Sequence, residues 1–396
     1  MSTIRRGQQL PGTASPPPVA PVTSIGEARE RYDSAVIPVG VDDTGNIVEW
    51  RLKRVAQCLV VGNGNAEVSA AMVASAAAQG VRVVVIDPKA AMVGLRDYPG
   101  VVTVATQPFE AVALIHTIFD EMRQRYALAQ TTKGMPDVEP LLLVVNEYGM
   151  LRDSLRALYA RTKPRGGPRE CPTLSELASL LRLGRASRIH CMMTAESPYA
   201  MVPDGVHDEF GIRLSLGCLS RMGAISVHGD PEAGTDVGVG IGGRGTVTSW
   251  EAPGASVGVR AFGADQEILD ALRPPVSLYE RIVVMPPAAD PAEAGEEFSF
   301  YQELSLVKAA EHPGFDPCSP AYAPPQWLHP RNRGGEFLFG TTGKVVGRKV
   351  SEYARGYQDA LGEVAAKWIE DGPDAALEYI RANQQHPGGP ADGDAA

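Results

Sequence analysis

The stretch that decides the fold is a buried apolar run that turns into a glycine-rich loop: Cys58-Leu59-Val60-Val61-Gly62-Asn63-Gly64-Asn65-Ala66-Glu67-Val68-Ser69. An alanine-rich run follows and predicts a helix over 67–79. A strand, a loop and a helix in this order are typical of a phosphate-binding loop, Gly-x-x-x-x-Gly-Lys-Ser/Thr. Gly62 and Ser69 keep the first and last positions of that pattern. Glu67 replaces its second glycine and Val68 replaces its lysine, so the loop indicates a fold and lacks the cation that a phosphate needs.

The composition is that of an ordinary globular protein. The 396 residues are 44% hydrophobic, which suffices for a sizeable core in two domains or in one large domain with tails. The net charge of −10 argues against a surface coated in basic residues, although an assembly can be acidic outside and basic in a pore. The five cysteines lie far apart, which predicts buried thiols in a reducing compartment. We see no signal peptide and no membrane-spanning run, and we expect a cytoplasmic protein.

Strand and helix patterns alternate along the central part of the chain. Apolar strand patterns cover 59–61, 81–86, 101–104, 141–145, 189–193 and 212–216, and helical patterns cover 67–79, 108–128, 150–160 and 173–184. This alternation predicts an α/β fold with a mostly parallel sheet and helices on both faces. Ligands of such sheets bind at the carboxyl ends of the strands. Gly62, Asp87 and Asn146 follow three strands, so we expect them to share one crevice.

Composition also divides the chain into segments. We predict a disordered tail over 1–34, a domain over 35–275 that opens with a hairpin at 36–50, and a Pro/Gly-rich linker or wrapping arm over 276–347. A C-terminal helix over 348–383 and a disordered tail over 384–396 follow. The glycine-rich run at 238–245 predicts a loop or hairpin. The fragment at 340–344 lacks the glycine spacing of a phosphate-binding loop.

Several short motifs occur in a fixed order from about residue 36 to 250. They are Ile37–Val41, Ile86–Lys89 (IDPK), Glu121–Tyr126 (EM and RY), Leu141–Glu147, Leu183–His190 (GRA and IH), Pro198 and Phe210–Arg213. In this order they resemble the motor domain of the FtsK/SpoIIIE/TraB group, the ring-shaped DNA pumps of division, sporulation and conjugation. The resemblance implies a RecA-like P-loop NTPase core, here with a helical C-terminal extension.

The resemblance also implies roles for individual residues. The nucleotide-binding positions are Gly62, Asn63, Gly64, Asn65, Ala66, Glu67, Val68 and Ser69 together with Asn146 and Glu196, and Ser69 is the implied Mg²⁺ ligand. Glu147 is the residue that polarises the attacking water, and Arg185 and Arg213 are candidates for acting on a neighbouring subunit's phosphates. Each of these residues also has a purely structural explanation. Ser69 can be an ordinary serine in the first turn of a helix, Glu147 an exposed acidic residue at a helix start, and the two arginines ordinary surface residues. Asp87 and Lys89 fit a salt-bridged strand end equally well, and His190 fits a core residue.

Three departures from the family pattern weaken this site. At an effective dielectric of about 20, two unit charges about 4 Å apart interact by about 4 kcal/mol, whereas a helix N-terminus returns about 0.3–1 kcal/mol to an anion. Replacing the lysine by Val68 and adding Glu67 therefore disfavours a bound phosphate. Asn146 replaces the family's magnesium-holding Asp, and Glu196 replaces its sensor glutamine. Together the changes favour a site that has drifted away from hydrolysis.

Three functions remain open at this stage. The first is a relative of double-stranded DNA translocases, from a phage or mobile element, whose nucleotide site is degenerate; it binds DNA or joins a homo-oligomeric or mixed ring with an active homologue. The second is an active motor that uses ATP and Mg²⁺, with Lys89 or Lys344 supplying the missing charge. The third is a purely structural assembly protein. If the site is lost, no cofactor is expected. We find no winged-helix pattern, so sequence-specific DNA recognition is not predicted.

Overall fold

The computed structural model describes residues 14–132, 134–163, 166–199, 201–238, 243–286 and 304–323. Its strands are β1 Val36–Asp42, β2 Ile47–Arg51, β3 Gln57–Val61, β4 Arg82–Ile86, β5 Val101–Ala105, β6 Leu141–Val145, β7 Ile189–Ala195, β8 Phe210–Leu216, β9 Arg244–Ser249, β10 Ala252–Ala261, β11 Ile282–Met285 and β12 Ser305–Lys308. Its α-helices are α1 Ile25–Arg31, α2 Asn65–Ala78, α3 Pro108–Thr132, α4 Tyr148–Thr162, α5 Pro172–Leu183, α6 Arg221–His228 and α7 Gln266–Ala271. The predicted C-terminal helix at 348–383, the tail at 384–396 and Lys344 lie outside the described residues.

One large mixed sheet organises the described residues. Its strand order is β2-β1-β10-β9-β8-β3-β7-β6-β4-β5. The six strands from β8 to β5 run parallel, and the four remaining strands add to the sheet in antiparallel fashion. This arrangement confirms the predicted α/β fold. The hairpin predicted at 36–50 is present as β1 and β2. Of the glycine-rich run at 238–245, residues 239–242 lie outside the described part of the chain, and Arg244 and Gly245 begin β9, which forms a hairpin with β10.

The helix that follows the glycine-rich loop is almost completely enclosed. Of the 14 residues of α2, 13 are buried, and Glu67 is the partly exposed exception. Its alanine side chains are small enough for strands β1, β3, β4 and β7 and helix α7 to approach it from several sides. A helix that is apolar on every face is stable only when it is enclosed in this way. The side chains of α2 therefore belong to the core and not to an open site.

The prediction of a disordered tail is wrong for residues 25–34. Helix α1 begins after Ser24, whose side chain accepts a hydrogen bond from the Glu27 N–H at 3.1 Å. Tyr32 is buried behind it, and its hydroxyl lies 3.0 Å from Nε2 of His190. His190 Nδ1 donates to the Ala56 carbonyl at 3.0 Å, so Nε2 accepts from Tyr32. Burial lowers the pKa of His190 to about 4 and raises that of Tyr32 to about 12, so both groups are neutral at neutral pH. His190 is thus the satisfied core residue that the sequence suggested.

Part of the segment predicted as a linker is folded. Strands β11 and β12 pair antiparallel, and Val283 and Val284 are buried. Arg281 forms an ion pair with Asp97, which attaches this small sheet to the loop that precedes β5, and a second ion pair with Asp316, which follows β12. The proline content of the region hid two strands of four residues each. The described part of the segment therefore fits the wrapping-arm alternative.

Removing the Tyr32 hydroxyl tests the role of the N-terminal segment. In Tyr32→Phe, the buried Nε2 of His190 loses its donor, and we expect the free energy of unfolding to fall by about 1–3 kcal/mol. Urea denaturation at neutral pH measures the change. Tyr199→Phe, at an exposed tyrosine, is the matched control and is expected to cost less than about 0.5 kcal/mol. Equal effects of the two substitutions would contradict the anchoring role of Tyr32.

Candidate nucleotide site

The residues of the predicted crevice lie together at one edge of the sheet. Gly62 follows β3, Asp87 follows β4, Asn146 follows β6 and Glu196 follows β7. Because these strands are parallel, their carboxyl ends meet at the same edge. We call this group of strand ends the crevice. The structure thus brings Gly62, Asp87 and Asn146 to one crevice, as expected, and adds Glu196 to them.

The first glycine of the loop is required by packing. Gly62 has φ +114°, and a Cβ there would lie 2.3 Å from the Leu216 carbonyl oxygen on neighbouring strand β8. Its N–H donates to the Ala195 carbonyl at 2.8 Å. Neither feature requires a nucleotide. The presence of Gly62 is therefore explained by the sheet itself.

Helix α2 begins at Asn65, two residues before the predicted start, so the loop between β3 and α2 is shorter than predicted. Gly64, with φ +85°, is the N-cap, and its carbonyl accepts from the Val68 N–H at 3.2 Å. In a helix, only the first four backbone N–H groups lack a helical acceptor and could bind a ligand. Ser69 is the fifth residue of α2, so its N–H is not among them. The side chains of Val68 and Ser69 are completely buried. In the part of the chain that the structure describes, the Ser69 hydroxyl has no hydrogen-bond partner. Being enclosed, it does not fit the role of a Mg²⁺ ligand.

Glu147 connects three strand ends. Its backbone is left-handed, with φ +56° and ψ +64°, at the N-cap of α4. Its carboxylate accepts from Asn65 Nδ2 at 3.1 Å and from the Glu196 N–H at 3.3 Å. Asn65 is the first residue of α2, so a negative charge already lies beside the N-terminus of that helix. An incoming phosphate would meet this carboxylate in the place where a helix N-terminus otherwise attracts anions.

Asn146 belongs to a buried polar network. Its Nδ2 donates to Asp87 Oδ1 at 2.7 Å, and its Oδ1 accepts from the Thr194 hydroxyl at 2.5 Å. Asp87 also accepts from the backbone N–H groups of Lys89 at 3.2 Å and Met92 at 2.6 Å. Both Asp87 and Asn146 are almost completely inaccessible to solvent. The family's aspartate at position 146 would face Asp87 at hydrogen-bonding distance without a proton to donate, so the amide matches this environment.

The lysine at the crevice already has a partner. Lys89 and Glu196 form an ion pair across the strand ends. Strand β6 lies between β4 and β7, so the pair spans two strand spacings, about 10 Å. Glu196 is half-exposed and Lys89 is less so, which places the pair at the surface of the crevice. A phosphate would have to compete with Glu196 for this ammonium group.

Comparison with known proteins shows which family part of the chain resembles. Residues 19–198, slightly less than half of the chain, match the FtsK/SpoIIIE family. The DNA translocase FtsK of Mycobacterium tuberculosis is 26% identical over 221 residues, which cover 48% of this chain and 25% of that protein. The DNA translocase FtsK of Corynebacterium glutamicum is 30% identical over 115 residues, covering 26% of this chain and 12% of the relative. The chain thus spans at most about a quarter of these relatives' length.

A solved structure supports the same fold. EssC (ATPases 2 and 3) from Geobacillus thermodenitrificans superposes with a TM-score of 0.52 at 11% identity, covering 76% of this chain and 62% of that chain. At this identity the likeness concerns the fold, and it confirms the RecA-like architecture predicted for the FtsK/SpoIIIE resemblance. Within the residues that the structure describes, none of the helices combines the length and hydropathy that a bilayer span requires.

The two arginines proposed for the neighbouring subunit lie outside the crevice. Arg213, on β8, donates to the carbonyls of Phe210 at 2.9 Å, His207 at 3.2 Å and Val227 at 3.3 Å. These bonds fix its guanidinium inside its own subunit, which argues for a structural role. Arg185 precedes β7 at the opposite, amino-terminal edge of the sheet, is exposed, and donates to the Arg54 carbonyl at 3.1 Å. A role of Arg185 towards a neighbouring subunit stays a prediction.

One residue of the network had no predicted role. The Thr194 hydroxyl donates to Asn146 and accepts from the Glu147 N–H at 3.2 Å, so it orders both residues after β6. Its signal in the sequence is a lone hydroxyl near the end of the apolar strand Ile189–Ala195. A buried hydroxyl in such a strand needs a partner, and the strand order supplies it.

Restoring the family's aspartate tests the network. In Asn146→Asp, two carboxylates face each other in a buried site, and we expect the free energy of unfolding to fall by about 3 kcal/mol at neutral pH. The folded protein would bind a proton there more tightly than the unfolded chain, so the loss should shrink as the pH falls. Urea unfolding at several pH values measures this. Asn146→Ala removes the same hydrogen bonds without adding a charge, so its loss should not depend on pH in this way. An aspartate variant as stable as the wild type at neutral pH would contradict the network's role.

Proposed function

We propose that this FtsK/SpoIIIE-family chain does not hydrolyse ATP and acts as a DNA-associated subunit, in a ring of its own or in a mixed ring with an active homologue. The observation that carries the proposal is the electrostatics of the crevice. Val68 is buried where the family's lysine would stand, and the Glu147 carboxylate lies beside the first residue of α2. Among the described residues, the lysine at the strand ends is Lys89, which is paired with Glu196.

The metal side of the site supports the same conclusion. Ser69 is enclosed, and Asn146 gives its amide to Asp87 and its oxygen to Thr194. Within the described residues, no group of three or more His, Cys, Asp or Glu side chains could hold a metal ion. Mg²⁺ prefers oxygen ligands from carboxylates and phosphates in near-octahedral geometry. The residues present therefore do not fit a magnesium nucleotide.

An active motor is the second candidate. Glu147 is kept, and the ammonium of Lys89 is partly accessible at the crevice. In that case binding of the nucleotide would have to break the Lys89–Glu196 ion pair and the hydrogen bond from Asn65 to Glu147. Exposed ion pairs are worth about 0–1 kcal/mol, so the first cost is small. The enclosed Ser69 and Val68 are the stronger obstacle, because both belong to the packed core around α2.

Nucleotide titration separates these candidates. A ligand present at about 100 times its dissociation constant stabilises a protein by about 2.7 kcal/mol, which raises Tm by roughly 2–4 °C at this size. We expect no such rise with ATP or ADP, with or without Mg²⁺, and no phosphate release, whereas an active FtsK domain run in parallel should show both. Nucleotide turnover that Glu147→Gln abolishes would establish the active motor and overturn the proposal.

Reintroducing the missing lysine gives a second test. Val68 is completely enclosed, so Val68→Lys would place an ammonium in the core and should lower the free energy of unfolding by about 4 kcal/mol at neutral pH. The matched control is Glu67→Lys at the adjacent, partly exposed position, which should cost less than about 1 kcal/mol. Thermal unfolding with and without ATP measures both variants. A Val68→Lys variant that keeps the wild-type Tm and gains an ATP-dependent rise would show that the loop can open.

A further inference from the structure

A second concave surface lies between helices α4 and α5. It encloses about 780 Å³ and includes none of the loop residues Gly62–Ser69. Four cationic side chains line it: Arg156 and Lys163 from α4 and its C-cap, Arg169 from the connection, and Arg182 from α5. We call this surface, with these four residues, the basic cleft.

Helical spacing explains why the cations point to one side. Arg156 and Lys163 are seven positions apart, nearly two turns, which places them on the same face of α4 about 10 Å from each other. Ser175, Ser179 and Arg182 recur at the same spacing on the facing side of α5. Ala160 and Ala178 also line the surface, and their small side chains leave the space between the helices open. The sequence of the two helices therefore builds a channel with hydroxyl groups and positive charges on its walls.

The cations of the basic cleft form no close ion pairs with the described carboxylates, although Arg156 adds to the effect of Arg152 in lowering the pKa of Asp153 on the same helix. Elsewhere in the described structure arginines commonly pair with acids, as Arg29 does with Glu139 and Arg125 with Glu121. Among the described residues, Arg156, Lys163 and Arg169 form no ion pair within 4.0 Å. Lys163 lies over the Tyr159 ring, 5.9 Å from its centroid, and Arg182 donates to the Gly205 carbonyl at 3.2 Å. Two carboxylates, Glu170 and Asp204, also line the cleft. Four cations against two acids give a local excess of positive charge in a chain whose net charge is −10.

The other side chains of the cleft indicate which anion it suits. Phosphate groups of nucleic acids are contacted by Arg, Lys and Ser side chains, the groups present here. Single-stranded nucleic acid is usually held by exposed aromatic rings on which bases stack. The two tyrosines of the cleft, Tyr148 and Tyr159, are buried, so they offer no such platform. This combination favours contact with the backbone of a duplex over recognition of bases.

We propose that the basic cleft binds the phosphate backbone of double-stranded nucleic acid without sequence preference. The proposal rests on the DNA association proposed above and names the surface that provides it, and it does not depend on the state of the crevice. Isolated exposed cations are ordinarily only solvated. Here four cations from two helices and their connection line one concave surface and repel each other. Binding of a polyanion would reduce this repulsion.

A charge-neutralising variant tests the basic cleft. We would compare the full chain with Arg156→Ala/Lys163→Ala/Arg169→Ala by fluorescence anisotropy on a labelled DNA duplex over a series of salt concentrations. Each phosphate contact contributes about 0.9 to the slope of log K against log salt, so losing three should reduce the slope by about 2.7 and weaken binding at low salt at least tenfold. The control is Lys53→Ala/Arg123→Ala/Arg221→Ala, which removes the same charge from exposed positions outside the cleft and should change affinity less than twofold.

The outcomes separate this proposal from the proposed function. Loss of binding confined to the cleft variant, with unchanged Tm, supports the cleft. Equal weakening by both variants would mean that net charge alone attracts DNA, and it would overturn the cleft while leaving DNA association intact. A wild-type protein that does not bind duplex at low salt would overturn both the cleft and DNA association, while the nucleotide titration would still report on the crevice. Displacement of the duplex by polyglutamate at equal charge concentration would assign the cleft to an acidic protein and overturn the proposal.

Discussion

The interaction on which the candidate site depends is the buried chain of hydrogen bonds from Asp87 through Asn146 to Thr194. It joins the ends of β4, β6 and β7, three neighbouring strands of the parallel sheet, and it leaves no charge of Asp87 unmatched by a donor. The position of Glu147 follows from it, because Thr194 also accepts from the Glu147 backbone. The Asn146 amide therefore helps to hold these strand ends together, since it donates to Asp87 and accepts from Thr194. Asn146 thus has a structural reason that is independent of any bound nucleotide.

The two candidate surfaces of the molecule have opposite electrostatic character. In the crevice, the carboxylates of Glu147 and Glu196 find donors within the protein, and Lys89 is neutralised. In the basic cleft, no ion pair forms at the four cations among the described residues, and Arg182 donates to a backbone carbonyl. Unpaired positive charge therefore lies on the surface of α4 and α5 and not at the strand ends of the crevice.

The sequence predicted most of the sheet and less of the site. The apolar run at 141–145 became β6 with the same limits, and the pattern at 173–184 became α5 within one residue, because continuous apolar strands and helical periodicity are local signals. Helix α1 and strands β11 and β12 escaped prediction, since Tyr32 and Val283 are ordered by distant partners. Contacts between residues distant in the chain also form the crevice, and they too could not be predicted from local patterns. Asp87, Asn146 and Thr194 lie far apart in the chain, and only the strand order makes them neighbours. Nor did the alanine-rich pattern show that α2 begins at Asn65, two residues before the predicted start.

The enclosure of α2 has a consequence for the substitutions that the helix tolerates. Of its 14 residues, 13 are buried, with strands of the sheet and α7 packed around them. A larger side chain at one of its alanines would have to displace a neighbouring strand or α7, and such overpacking usually costs about 1–3 kcal/mol. Sequence change along α2 should therefore be confined to small residues, except at the partly exposed Glu67.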